Sequence, residues 1–215
     1  DYLANFDPPP PIEDNSPDKH LIDRYLDVLI PLGINDAPRV PRLKTRPADD
    51  FAVDSMLKKV KANTGGPLVG LFPGAGHPSR LWPLHRFAEL ADHLVRNEGA
   101  RVIVFAGPEE REMIQPMRNL FPPSTTIFDR LTIPQLAAAQ ARLAVFVSND
   151  TGPMHIAAAV GTSVIALLAR PTPNSFIPIE DRHRVIYSRT INEMTVEEVY
   201  AATCESLAQL RTAVL

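Results

Sequence analysis

From Leu68 onward the chain alternates between two hydrophobic periods. Short apolar runs at Leu68 to Phe72, Arg101 to Ala106, Thr125 to Phe128, Leu143 to Val147, Ser163 to Leu168 and Val185 to Tyr187 predict six strands. Helical spacing fills the gaps: Pro83 to Asn97, about Glu109 to Leu120, Thr132 to about Ala141, and Ile156 to Val160 with Asp150 opening it. A last helix is capped by Thr195, with Glu197 and Glu198 favourably placed at its positive end. Leu143 to Val147 is apolar at every position, as a strand buried on both faces must be, and strands alternating with helices are the signature of βαβ units. The expected fold is α/β: a Rossmann-like three-layer α/β/α domain over residues 67–215 with a six-stranded parallel sheet.

Residues 1–66 follow a different pattern. Leu21, Ile22, Tyr25, Leu26, Leu29 and Ile30 fall on one helical face, predicting an amphipathic helix at about 18–32, and Gly33 stands where a C-cap glycine would. A second short helix is expected from Ala52 to Ala62. The chain holds 22 prolines in 215 residues, about twice the usual ~5% share, and much of the excess precedes Pro67, including Pro8-Pro9-Pro10-Pro11. Residues 1–66 therefore read as a proline-rich inter-domain arm that packs on a neighbour and stays outside the main core.

Composition narrows the function. The hydrophobic share of 45% and charged share of 22% suit a globular domain, and a net charge of -3 with scattered basic residues gives no reason to expect nucleic acid. A single cysteine, Cys204, excludes a disulfide or a Cys-based zinc site within one chain and fits a reducing, cytoplasmic compartment. The longest nearly apolar run, Ile156 to Ala169, is broken by Gly161, Thr162 and Ser163 and falls short of the ~20 residues that span a bilayer, so no transmembrane segment is expected. The start at Asp1, with no Met and no leader, reads as a piece cut from a longer protein.

Three loops carry the candidate chemistry. Pro73-Gly74-Ala75-Gly76-His77-Pro78-Ser79-Arg80, followed by Leu81-Trp82-Pro83, leaves the first strand, where glycines let backbone N–H groups approach a pyrophosphate and Arg80 can clamp it. It matches neither a P-loop nor a Rossmann fingerprint, since Ser79 stands at the third glycine position. The plain alternative is a Gly/Pro turn anchored by Trp82, with Arg80 solvated. Ser148-Asn149-Asp150-Thr151-Gly152-Pro153-Met154-His155 turns a buried strand into a helix; Asp150 and Thr151 suit its free N–H groups, Gly152 permits close approach, and His155 is expected at the same cleft. Alone, Asp150 would be an N-cap and His155 a packing residue. Gly107-Pro108-Glu109-Glu110 ends the second strand, where an acid commonly meets a ribose hydroxyl, although these carboxylates equally suit the following helix dipole.

Taken together, Pro73-Gly74-Ala75-Gly76, Arg80-Leu81-Trp82-Pro83, Gly107-Pro108-Glu109-Glu110 and Asn149-Asp150-Thr151-Gly152-Pro153-Met154-His155 resemble glycosyltransferase family 9, the lipopolysaccharide heptosyltransferases. The resemblance covers roughly Leu68 to Leu210, and His20-Leu21-Ile22-Asp23-Arg24-Tyr25 with its end at Gly33 is similar to the family's inter-domain helix. It implies the C-terminal half of a GT-B fold, holding the ADP-heptose donor, while a missing N-terminal domain holds the lipopolysaccharide-core acceptor and the general base of an inverting transfer. No catalytic residue is then expected in this chain, nor activity from it alone. The implied donor phosphate and sugar residues are Ala75, Gly76, Arg80, Asp150, Thr151, Gly152 and His155; the implied nucleoside residue is Glu109; no metal or other cofactor is implied. Arg80 replaces the usual Lys, and Ala75-Gly76 replaces hydroxyl residues, shifting phosphate contact toward backbone N–H groups. The same half-site would serve another GT-B transferase, a sugar-nucleotide epimerase, or a non-catalytic sugar-nucleotide-binding protein.

Overall fold

A computed structural model describes residues 19–60, 65–169 and 177–213; the tetraproline segment lies outside them. Six strands form one sheet: β1 (Leu68–Phe72), β2 (Arg101–Phe105), β3 (Thr126–Phe128), β4 (Val145–Asn149), β5 (Ser163–Ala169) and β6 (Arg184–Ser188). They run in the order β3-β2-β1-β4-β5-β6, every pair parallel. The helices are α1 (Leu21–Asp27), α2 (Pro47–Lys59), α3 (Leu84–Glu98), α4 (Ile114–Leu120), α5 (Ile133–Gln140), α6 (Gly152–Ala159) and α7 (Val196–Ala213).

The strand period of two builds both faces of the core. Val69, Leu71, Val102, Val104, Val145, Val147, Ile165 and Leu167 face Phe87, Leu90, Leu94 and Met117 of α3 and α4 and Val199 and Leu207 of α7. Phe72, Ile103, Phe105, Phe146, Val164, Ala166 and Leu168 face α2, α5 and α6 through Val53, Leu57, Ala138, Ala139, Met154 and Ala157. Burying each larger side chain stabilises the fold by about 1.5–3 kcal/mol, so the two helical layers hold the sheet from both sides. The order reverses between β1 and β4, whose carboxyl ends diverge into separate loops.

Several boundaries depart from the sequence expectation. The 18–32 helix stops at Asp27 and resumes as a 3-10 turn at Ile30–Leu32, because Pro31 has no N–H to continue the ladder and its ring excludes the carbonyl four residues back. Gly33 does close that turn, at φ 77°. α2 starts at Pro47, not Ala52, and its Val53 and Leu57 are buried in the main core, so this helix is part of the packed layer despite the expected division at residue 66. The 109–120 helix begins as a 3-10 segment, Pro108–Met113, because Pro116 cannot donate back to the Glu112 carbonyl. β4 lies two residues later than expected and includes the polar Ser148 and Asn149; α6 begins at Gly152, with Thr151 in the N-cap position and no side-chain cap bond.

Residues 20–46 lie along α6 and the 177–183 segment. His20 bonds through Nε2 to the Ile177 carbonyl at 2.9 Å, and the Leu43 N–H donates to the Ala159 carbonyl at 2.9 Å. The Arg42 guanidinium donates twice to Glu180, at 2.8 and 2.9 Å. Among the described residues no helix is long and apolar enough to cross a membrane.

Candidate functional site

At the strand-order reversal the loop leaving β1 meets the loop leaving β4. Asn149, wholly buried, joins them: its Nδ2 donates to the carbonyls of Pro73 at 2.9 Å and Gly74 at 3.3 Å, and its Oδ1 accepts from the Trp82 N–H at 3.1 Å. Trp82 is anchored in turn by its indole N–H on the Met194 carbonyl at 3.0 Å and by edge contact with Phe87 at 4.9 Å between centroids. The alternatives for Trp82 and the glycine loop are thus compatible: the indole is a core anchor, and it fixes the loop's far end.

Beside these loops a cavity of about 450 Å³ opens at the carboxyl ends of β1, β2 and β3 and the N-terminus of α6. Phe105, Phe128, Leu131 and Ile133 give it an apolar wall, while Ala75, Thr151, Gly152 and Glu109 bring the three sequence-predicted loops to its edge. An apolar slot with few polar groups beside a helix N-terminus has the make-up of a nucleoside site with phosphates at its mouth. Glu109 is exposed here, whereas Glu110 is buried, accepts the Gly107 N–H at 2.7 Å and packs against Gly74.

Arg80, on the loop after β1, and Asp150, just before α6, meet Nη1 to Oδ2 at 3.2 Å, with Asp150 largely buried and Arg80 half exposed; neither lines the 450 Å³ cavity, whose edge their neighbours Ala75 and Thr151 reach. The expected capping by Asp150 gives way to this pair. His155 does not line the 450 Å³ cavity. It faces a neighbouring space of about 250 Å³ with His20, Tyr25, Ile177 and His183. Desolvation by these neighbours holds its ring below the usual imidazole range against the opposing pull of Asp150, and the charge of His20 adds to the lowering. Gly76 is exposed on the loop between Ala75 and Arg80. Among the described residues no group of three His, Cys, Asp or Glu side chains is placed to hold a metal ion.

A family model, glycosyltransferase family 9 (heptosyltransferase), matches residues 12–204. The chain belongs to glycosyltransferase family 9. Lipooligosaccharide heptosyltransferase 2 of Haemophilus influenzae is 29% identical over 153 residues, which are 68% of this chain and 44% of that protein. This chain therefore spans about half the length of that family 9 relative. A family 9 glycosyltransferase structure from Veillonella parvula superposes with a TM-score of 0.84 at 22% identity, over 91% of this chain and 62% of that one. The Escherichia coli ADP-heptose lipopolysaccharide heptosyltransferase II gives 0.71 at 23% identity, over 82% and 56%. These two establish the shared fold.

Two residues of the candidate site escaped the sequence reading. Asn149 stood inside a quoted motif without a role, because an Asn after an apolar strand reads as a turn former. Glu110 was eclipsed by Glu109. The capping-box spacing, an acid three residues after Gly107, was the available signal that Glu110 turns back onto the backbone.

Proposed function

We propose that this chain is the donor-binding half of an inverting glycosyltransferase that moves heptose from ADP-heptose to a lipopolysaccharide-core acceptor. The nucleoside occupies the apolar slot, with Glu109 at its rim for a ribose hydroxyl. The diphosphate lies across Ala75, Gly76, Thr151 and Gly152 beside Arg80 and Asp150, and the sugar extends toward His155. One observation carries the reading: the glycine loop and the segment entering α6, far apart in sequence, meet at the strand-order reversal with Arg80 and Asp150 paired at 3.2 Å. The Escherichia coli neighbour is by name an ADP-heptose lipopolysaccharide heptosyltransferase, which supports ADP-heptose as the donor.

The chemistry follows from charge. Transfer breaks the bond between the sugar's anomeric carbon and the diphosphate, which departs carrying added negative charge. Arg80, the loop amides and the positive end of α6 stabilise that charge. The acceptor hydroxyl must lose its proton to a base. We assign that base, and the acceptor site, to the half that the longer family members carry and this chain does not span, with the whole enzyme working in the cytoplasm. This chain alone then binds donor without transferring sugar.

Calorimetric titration with ADP, UDP, GDP and CMP tests the reading. ADP is expected to bind best, and Asp150→Ala or Arg80→Ala to weaken it by ~1–3 kcal/mol. Preference for UDP would transfer the assignment to a different sugar-nucleotide enzyme, and silence toward all four nucleotides would overturn it.

A further inference from the structure

The carboxamide of Asn149 has only one orientation that satisfies its neighbours. Reversed, Nδ2 would meet the Trp82 N–H, donor against donor, and Oδ1 would meet two carbonyls. One buried side chain thus ties the start of the loop, Pro73 and Gly74, and its end, Trp82, to the last residue of β4.

Peptide geometry then fixes where the loop's donors point. In a trans peptide the carbonyl oxygen and the following N–H face opposite ways. Holding the Pro73 and Gly74 oxygens toward Asn149 turns the N–H groups of Gly74 and Ala75 away from it. Neither donates to a protein acceptor among the described residues. Two successive free amides on a glycine-containing turn make a concave set of donors for an anionic oxygen, and Ala75 lines the 450 Å³ cavity.

We propose that Asn149 is a positioning residue that aims the Gly74 and Ala75 amides at the donor's diphosphate without touching the ligand itself. The inference rests on the donor-binding reading above. It explains the residue type: an ionised Asp could accept from Trp82 but would place negative charge against two carbonyl oxygens and release them. A protonated carboxyl, with one donor and one acceptor, would restore the pattern.

The test is calorimetric titration of the 215-residue chain and its Asn149→Asp variant with ADP at pH 8 and pH 5.5. At pH 8 the variant binds about tenfold more weakly or worse; at pH 5.5 its ratio to wild type at the same pH narrows, as the introduced carboxyl takes up a proton. A folded variant that melts earlier yet binds ADP as the wild type does at both pH values overturns the inference. If the variant does not fold, amide NMR of the wild type decides. The Gly74 and Ala75 amide protons shift downfield with added pyrophosphate; ADP binding that leaves both unmoved overturns the inference. Absence of ADP binding by the wild type is distinguishable, since it removes the donor reading first. Emission from Trp82, the sole tryptophan, reports the same clamp and shifts in Asn149→Asp at pH 8.

Discussion

Replacing Gly74 by Ala sets two effects of opposite sign against each other. Gly74 is not among the glycines with positive φ, so alanine can adopt its backbone and would stabilise the fold by about 0.4–1 kcal/mol through a less flexible unfolded chain. Against this, a Cβ at position 74 would lie 2.1 Å from Glu110 Oε1, 2.5 Å from its Cδ and 2.8 Å from its Cγ. Glu110 cannot yield freely. It is 6% exposed, and its other oxygen holds the Gly107 N–H at 2.7 Å. Displacing it forfeits a hydrogen bond to a charged acceptor, about 1.5–3 kcal/mol, and adds overpacking strain of about 1–3 kcal/mol. The clash wins, and the expected net destabilisation is about 2–4 kcal/mol. Urea unfolding followed by far-UV circular dichroism measures it, alongside Glu110→Ala and the double variant. Once the Glu110 side chain is gone the alanine has room, so Gly74→Ala should cost less than about 1 kcal/mol in that background. A loss of equal size in both backgrounds, or a single variant within about 0.5 kcal/mol of wild type, refutes the reasoning.

Two further predictions concern the frame around the site. In Gly70→Ala the new Cβ would sit 2.4 Å from Leu143 Cδ1, 2.8 Å from Phe146 Cδ2 and 3.0 Å from Phe105 Cε2; a differential scan should show a melting temperature lower by roughly 3–10 °C, and an unchanged one would mean the core repacks freely. Arg42, with Arg182, holds the Glu180 carboxyl down to about 2. A depressed acid contributes stability that is complete above the ordinary carboxylate range and is lost as pH falls from about 4.5 through about 2. Because Arg42 is half exposed, solvent screening keeps this contribution small. Urea midpoints from pH 6 to 2 should fall less steeply in Glu180→Gln than in wild type, and parallel curves would show that the latch adds nothing.

The central strands were legible because β1, β2, β4 and β5 are apolar enough to be buried on both faces; Val145, Phe146 and Val147 announce β4 wherever its ends fall. The end of β4 was not legible. Ser148 and Asn149 look like loop residues, and they extend the strand because their polar groups find buried partners, the Asn149 backbone carbonyl for Ser148 Oγ and the two loop carbonyls for Asn149 Nδ2. The partners of Asn149 arrive from residues more than 70 positions away, which no local pattern displays. The same limit explains His155. The helix face on which it stands could be read from spacing, but residues 20–46 close over that face and give His155 neighbours other than those of Thr151 and Gly152. The prolines had visible consequences that the hydrophobic spacing masked: Pro31 and Pro116 each cut a helix that the apolar positions alone would have continued.

The Arg80–Asp150 pair poses a competition that the proposed function has to win. If the guanidinium were committed to Asp150, it would be unavailable to a diphosphate, and the carboxylate would repel one. Arg80 is half exposed, and ion pairs of that kind are worth about 0–1 kcal/mol. Hydrogen bonds from a guanidinium to phosphate oxygens are worth about 1.5–3 kcal/mol, and Arg has five donors in a planar fork, enough to keep one on Asp150 while others turn to the ligand. The pair therefore acts as a holder. It keeps a long side chain beside the loop that leaves β1, reducing the ordering that ligand binding would otherwise require, while leaving most of its donors open. Lysine brings three donors from one nitrogen and lacks the planar fork that serves Asp150 and a phosphate side by side, so Arg80→Lys should bind ADP more weakly although charge is conserved. Asp150→Ala should weaken binding with Arg80 intact, and Arg80→Ala, Asp150→Ala and the double variant should be non-additive. Additive losses would mean that the two side chains serve the ligand independently and that the 3.2 Å contact is incidental.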